Sequence, residues 1–152
     1  MKYQIVGESI PNLPWEERPQ GCSDIVWRFS KNPLIGWNPI PKAARIFNSA
    51  VISYKSEFVG VFRADQKNGR ATLFSGKSHD GLRWEIGPDP INWVDEQGNP
   101  KPLSYGYDPR LVKIDDTYYI VWCDDLHGPS IGLGKTQDFK TFIRLPNPLM
   151  PF

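Results

Sequence analysis

Short apolar runs broken by polar pairs dominate the chain, and the runs occur twice. Ala50-Val51-Ile52-Ser53-Tyr54 is followed by Lys55-Ser56 and then by Glu57-Phe58-Val59-Gly60-Val61-Phe62. At a shift of 60 positions, Arg110-Leu111-Val112-Lys113-Ile114 is followed by Asp115-Asp116 and Thr117-Tyr118-Tyr119-Ile120-Val121-Trp122. β-Branched and aromatic residues favour extended backbone, and a polar pair between two such runs predicts a tight hairpin. Downstream, Gly76-Lys77-Ser78-His79-Asp80-Gly81-Leu82-Arg83-Trp84 returns as Gly134-Lys135-Thr136-Gln137-Asp138-Phe139-Lys140-Thr141-Phe142, a shift of 58. Pro88 and Pro90 then match Pro146 and Pro148. Each copy predicts an apolar strand, a turn, a β-branched and aromatic strand, a third strand carrying Gly and Ser or Thr, and an Asp-x-x-x-aromatic segment leading to a fourth. That is a four-stranded antiparallel sheet, and no stretch keeps a helical period.

Tandem four-stranded units of about 60 residues are the signature of β-propeller blades. A closed propeller needs at least about four blades. Two repeats and an opening stretch (Trp27-Arg28-Phe29, then Pro33 to Pro41) amount to two and a half. The predicted division is an opening segment 1–44, a blade over 45–102 and a blade over 103–152. The chain is then the N-terminal half of an all-β propeller, ending at Pro151-Phe152 in a loop and without a capping segment. An unpaired flank exposes sheet edges and apolar surface, so it predicts association with the missing half or with another copy of the chain.

Composition agrees with this class: 15 Pro, 13 Gly and 13% aromatic residues suit many short strands and turns. The 18 basic residues nearly balance 17 acidic ones, leaving +1, so the footprint of a nucleic-acid binder is absent. Met1 to Pro11 contains Glu8 and has no apolar run of signal-peptide length, and no run approaches a membrane span. Cys22 and Cys123 are far apart, with no CxxC and no paired His. The reading is a reducing, cytoplasmic protein without a zinc site.

Candidate chemistry follows from the repeat. In a propeller, loops entering the innermost strands line the central channel, and the alignment puts Asn48 and Asp108 at the same such point. Arg45, Phe47 and Ser49 surround one; Tyr105, Gly106, Tyr107, Pro109 and Arg110 surround the other. Polar groups interleaved with aromatic faces suit a carbohydrate. From the residues alone, Asp108 is either an acid or the start of an Asp-Pro turn paired with Arg110. Arg63 and Asp65 read as a structural ion pair, and Asp115-Asp116 as a turn. His79 and His127 are the sole histidines. The residue pattern around them supports no catalytic triad, and His127, before Gly128-Pro129, reads as a loop residue.

Together these segments resemble glycoside hydrolase family 130, most closely its mannosylglucose phosphorylase branch. The resemblance covers most of the chain. It rests on Arg45-Ile46-Phe47-Asn48-Ser49-Ala50, Gly60-Val61-Phe62-Arg63-Ala64-Asp65, Ser78-His79-Asp80-Gly81-Leu82-Arg83-Trp84, Tyr105-Gly106-Tyr107-Asp108-Pro109-Arg110 and Ile131-Gly132-Leu133-Gly134-Lys135-Thr136-Gln137-Asp138-Phe139. It implies a five-bladed propeller of about twice this length. It makes Asp108 the proton donor, acting through a sugar hydroxyl. Asn48, Ser49 and Arg63 would hold the mannosyl unit, with Tyr107 and Asp65 beside it. It also implies a homo-oligomer and inorganic phosphate as co-substrate with no cofactor, the phosphate-binding cations lying past Phe152. The implied reaction is inverting phosphorolysis of a β-1,4-mannosyl-glucose-type disaccharide to α-mannose 1-phosphate and free sugar. Phosphate arrives as an anion, so one carboxylate suffices where hydrolysis needs a second as base. The alternatives are a related β-mannoside hydrolase and a non-catalytic sugar-binding half-propeller.

Overall fold

The computed structural model describes residues 16–125 and 128–148. His127, the start of the opening segment and the chain end at Pro151-Phe152 therefore lie outside the described residues. Among the described residues there is no helix.

The first sheet is built from β1 (Ala43–Tyr54), β2 (Glu57–Gln66), β3 (Ala71–Ser78) and the short β4 (Glu85–Ile86), antiparallel in that spatial order. After it come β5 (Trp93–Val94), β6 (Tyr107–Ile114), β7 (Thr117–Asp124), β8 (Ser130–Thr136) and β9 (Phe142–Arg144). The last four repeat the antiparallel meander, and β5 adds a parallel strand to the outer edge of β9. The repeat alignment leaves 93–102 with the first unit, whereas these hydrogen bonds attach Trp93-Val94 to the second sheet.

Both predicted hairpin turns form with a left-handed residue at the same point, Lys55 at φ 55° and Asp115 at φ 52°. The Asp-x-x-x-aromatic segments are also equivalent. Asp80 Oδ1 accepts the backbone N–H groups of Leu82 and Arg83, and Asp138 Oδ1 accepts those of Lys140 and Thr141. These backbone donors favour the charged carboxylates and hold both below the usual Asp range. Because each folded pKa lies below its unfolded value, the stabilisation is complete above the unfolded value and is lost as pH falls through the folded one. Asp138→Asn is therefore expected to lower Tm at neutral pH and to have a shrinking effect towards strong acid. A melting difference constant between neutral pH and strong acid would contradict this.

The main core lies between the two sheets. Val61, Leu73 and Ile91 from the first unit meet Trp93, Ile120, Trp122 and Phe142. The Trp93 and Trp122 rings lie 4.7 Å apart. The glycines of β8 make room for these indoles: a Cβ on Gly132 would come within 2.1 Å of Trp122, and one on Gly134 within 2.4 Å of Trp93. A smaller cluster of Ala43, Ala64 and Phe74 is covered by Ile40, Ile46 and Ile86. On β6 and β7, by contrast, Val112, Ile114 and Val121 remain exposed. The core packing sets β1 beside β6, which brings the two repeat-equivalent positions together.

Candidate active site

Asn48 and Asp108 each sit where the register of an innermost strand slips. Phe47 pairs with Arg63 and Ser49 with Phe62, leaving Asn48 as the extra residue of a bulge. On β6, Tyr107 pairs with Cys123 and the ladder resumes only at Arg110 opposite Val121. Both residues have positive φ, 26° at Asn48 and 52° at Asp108. Asn and Asp tolerate this region better than other residues with a Cβ, and a bulge re-aims its side chain out of the strand's alternation. The result is a direct contact: Asn48 Nδ2 donates to Asp108 Oδ1 at 2.6 Å.

Arg63 completes the arrangement. Its NH1 donates to Asp108 Oδ1 and its Nε to Asp65 Oδ1, each at 3.3 Å. The guanidinium lies 5.3 Å from the Phe47 ring centre and 5.4 Å from that of Tyr107, the two repeat-equivalent aromatics. Arg45 approaches Asp65 Oδ2 at 3.9 Å. The side chains of Arg63, Asp65 and Asp108 are 25%, 19% and 31% exposed, so they are held by neighbours yet open to a ligand. Both donors to Asp108 use the same oxygen. Oδ2 receives no hydrogen bond from the described residues.

Ser49 is exposed, and its hydroxyl donates to the Phe47 carbonyl at 3.3 Å, so it adjoins Asn48 in the chain without a hydrogen bond to Arg63 or Asp108. Arg110 does not pair with Asp108. The bulge breaks the strand alternation that would set the two side by side, and Arg110 NH1 donates to the Pro109 carbonyl at 2.8 Å. The isolated Arg63–Asp65 pair read from the sequence is one half of a bridge that also reaches Asp108. Cys123 was missed: it stands at the repeat position of Arg63 and faces Tyr107 across the ladder. Its proximity, followed by desolvation, raises the Tyr107 phenol above its ordinary range. The same 60-residue shift that pairs Asn48 with Asp108 would have pointed to it.

Cys22 and Cys123 are both free thiols. No group of three His, Cys, Asp or Glu among the described residues could hold a metal ion, and no helix among them is long and apolar enough to cross a membrane.

A family model described as beta-1,4-mannooligosaccharide phosphorylase matches residues 7–152. The chain belongs to glycoside hydrolase family 130. A beta-1,4-mannooligosaccharide phosphorylase of Ruminococcus albus is 42% identical over 161 aligned residues, covering all of this chain and 48% of the relative. This family 130 chain thus spans about half the length of the curated relative it matches. Among solved structures, the β-1,2-mannobiose phosphorylase of Listeria innocua superposes with TM-score 0.65 at 17% identity, covering 82% of this chain and 52% of that one. A structure from work on family 130 glycoside hydrolases that target β-1,2-mannosidic linkages in Candida mannan gives 0.58 at 20% identity, covering 86% and 40%. These likenesses concern the fold, and the two sheets are part of a five-bladed β-propeller.

Proposed function

We propose that the complete enzyme phosphorolyses β-1,4-mannosides of the mannosyl-glucose type with inversion, and that this half of the propeller supplies the proton donor. Phosphate oxygen attacks the anomeric carbon from the face opposite the leaving sugar, and the glycosidic C–O bond breaks. The proton of Asp108 Oδ2 passes through a sugar hydroxyl to the leaving oxygen. The products are α-mannose 1-phosphate and a free sugar, and inorganic phosphate is a co-substrate rather than a cofactor. The observation that carries this reading is the pairing of Asn48 and Arg63 on Asp108 Oδ1, which reserves the other oxygen for the proton. Asn48, Ser49, Arg63, Asp65 and Tyr107 would then contact the mannosyl unit from the same shelf.

Hydrolysis would need a base carboxylate across the sugar ring from the acid. Asp65 is tied to Asp108 through Arg63, lies on the acid's own side and is not placed to be that base. Phosphate as the nucleophile is favoured by the likeness to phosphorylases. The Ruminococcus albus relative is named for mannooligosaccharides, so longer β-1,4-mannosides belong among the candidate substrates. The free thiols fit a reducing, cytoplasmic setting, and the exposed Val112, Ile114 and Val121 fit association with the rest of the propeller or a homo-oligomer.

Incubating the full-length enzyme with β-1,4-mannosyl-glucose and phosphate, and following the anomeric protons by NMR, tests the reaction. α-Mannose 1-phosphate is expected as the first product. An initial β-phosphate would exclude inversion, and free mannose without phosphate consumption would make the enzyme a hydrolase.

Arg63→Ala in the same enzyme is expected to reduce kcat/KM about 10- to 150-fold, the worth of about 1.5 to 3 kcal/mol for a hydrogen bond to a charged group. A large fall in Tm with unchanged kinetic constants would instead confine Arg63 to a structural pair.

A further inference from the structure

We propose that Trp37 and Arg45 form a second sugar platform, which takes a unit of the leaving chain beyond the sugar next to the broken bond. Trp37 is 73% exposed, whereas Trp93 and Trp122 are buried in the core. The exposure does not come from a loose segment. Asn38, the next residue, adopts φ 50°, and its N–H donates to the Ala44 carbonyl at 2.9 Å. Ala43 N–H in turn donates to the Ile40 carbonyl at 3.2 Å, closing the turn onto the start of β1. The backbone next to Trp37 is thus held beside the strand that carries Asn48, while much of the indole's surface is in water.

Trp37 also ends a continuous series of rings and cations that starts at the acid. Arg63 donates to Asp108 and lies against Tyr107 and Phe47. Phe47 lies 5.2 Å from the Arg45 guanidinium, and Arg45 lies 5.4 Å from the Trp37 ring. Arg45 is 48% exposed at the side chain, and its one ion-pair partner among the described residues, Asp65 Oδ2, lies 3.9 Å away, beyond hydrogen-bond distance, so its N–H groups remain open to a ligand beside the indole. Arg45 covers only part of the ring. An apolar face next to outward-facing guanidinium donors matches a pyranose, whose C–H surface stacks on the ring while its hydroxyls take the N–H groups.

Chemistry decides which sugar this is. Release of mannose 1-phosphate places the terminal mannosyl unit at Asp108, so any further units extend only on the leaving side. This assignment rests on the phosphorolysis proposed above. Its test does not require turnover. In the full-length protein carrying Asp108→Asn, which keeps the ligand intact, calorimetry compares β-1,4-mannobiose with β-1,4-mannotetraose. Adding Trp37→Ala is expected to weaken tetraose binding about tenfold and biose binding less than about twofold, while Trp37→Phe keeps most of the tetraose affinity.

An equal loss for both sugars, no loss for the tetraose, or no tetraose binding to the parent would overturn the platform. So would a fall in Tm or a change of oligomeric state with sugar affinities unchanged, because Trp37 would then be covered by protein. If the binding pattern holds while NMR shows no phosphorolysis, the proposed reaction and the leaving-side assignment fail, and Trp37 stands as a sugar contact.

Discussion

Asp108→Asn in the full-length enzyme is expected to lower kcat by about 10²- to 10⁴-fold, the usual contribution of a general acid, with sugar affinity nearly unchanged. The geometry makes this substitution a sharp one. The amide oxygen takes the place of Oδ1 and accepts from Asn48 and Arg63 as the carboxylate does. The amide nitrogen takes the place of Oδ2 and has no acidic proton to release. Shape, bulge and neighbouring contacts are retained, and only proton donation is removed. Parallel measurements of kcat and of mannosyl-glucose affinity by calorimetry separate the two effects. If the variant kept more than about a tenth of kcat, a group that contributes at least 10²-fold could not be Asp108. If affinity fell as far as kcat, Asp108 would be a binding residue.

The repeat was legible because it is written in residue types whose local physics is strong. Polar pairs between β-branched runs predict hairpins, and Lys55 and Asp115 make them. The repeated Asp of the third-to-fourth connection collects two backbone donors in each copy. The equivalence of Asn48 and Asp108 was also readable, since it needs only alignment. Their mutual contact was not, because it depends on two bulges, and a register slip leaves no mark in a pattern of apolar and polar positions. That slip also explains Arg110: two residues on, it should share a face with Asp108, and the bulge removes the sharing.

Strand β5 shows a second limit. Two residues carry no period, and Trp93 joins the next sheet because its indole is buried against Trp122 and Phe142. Trp37 lies outside the repeats, so no equivalent residue could single it out. Its significance appears only once Arg45 and Phe47 are seen to connect it to Arg63.

Asp124→Ala is expected to destabilise the protein by about 3 to 5 kcal/mol, the cost of leaving one member of a buried ion pair without the other. Asp124 and Arg144 are 1% and 4% exposed at the side chain and meet at 2.7 Å. Asp124 Oδ2 also accepts from Asn147 Nδ2 at 3.4 Å, and its Oδ1 accepts the Asp125 N–H at 2.8 Å. Arg144 donates in addition to the Pro102 carbonyl at 3.2 Å, so one pair ties β7 and β9 to the connection that leads into β6. The first sheet manages the same point differently: the repeat equivalent of Asp124 is Ala64, fully buried in an apolar cluster. An ion pair is therefore not required for a blade to form, which gives the prediction its second half. Removing both charges, as Asp124→Ala with Arg144→Met, should recover most of the loss, because no uncompensated cation then remains in a dry site. Urea unfolding of the full-length protein measures both variants. A single-variant loss under about 1 kcal/mol, typical of surface positions, would show that water reaches the pair. Additive losses in the double variant would show that Arg144 stabilises the blade through Trp122 and Pro102 rather than through Asp124.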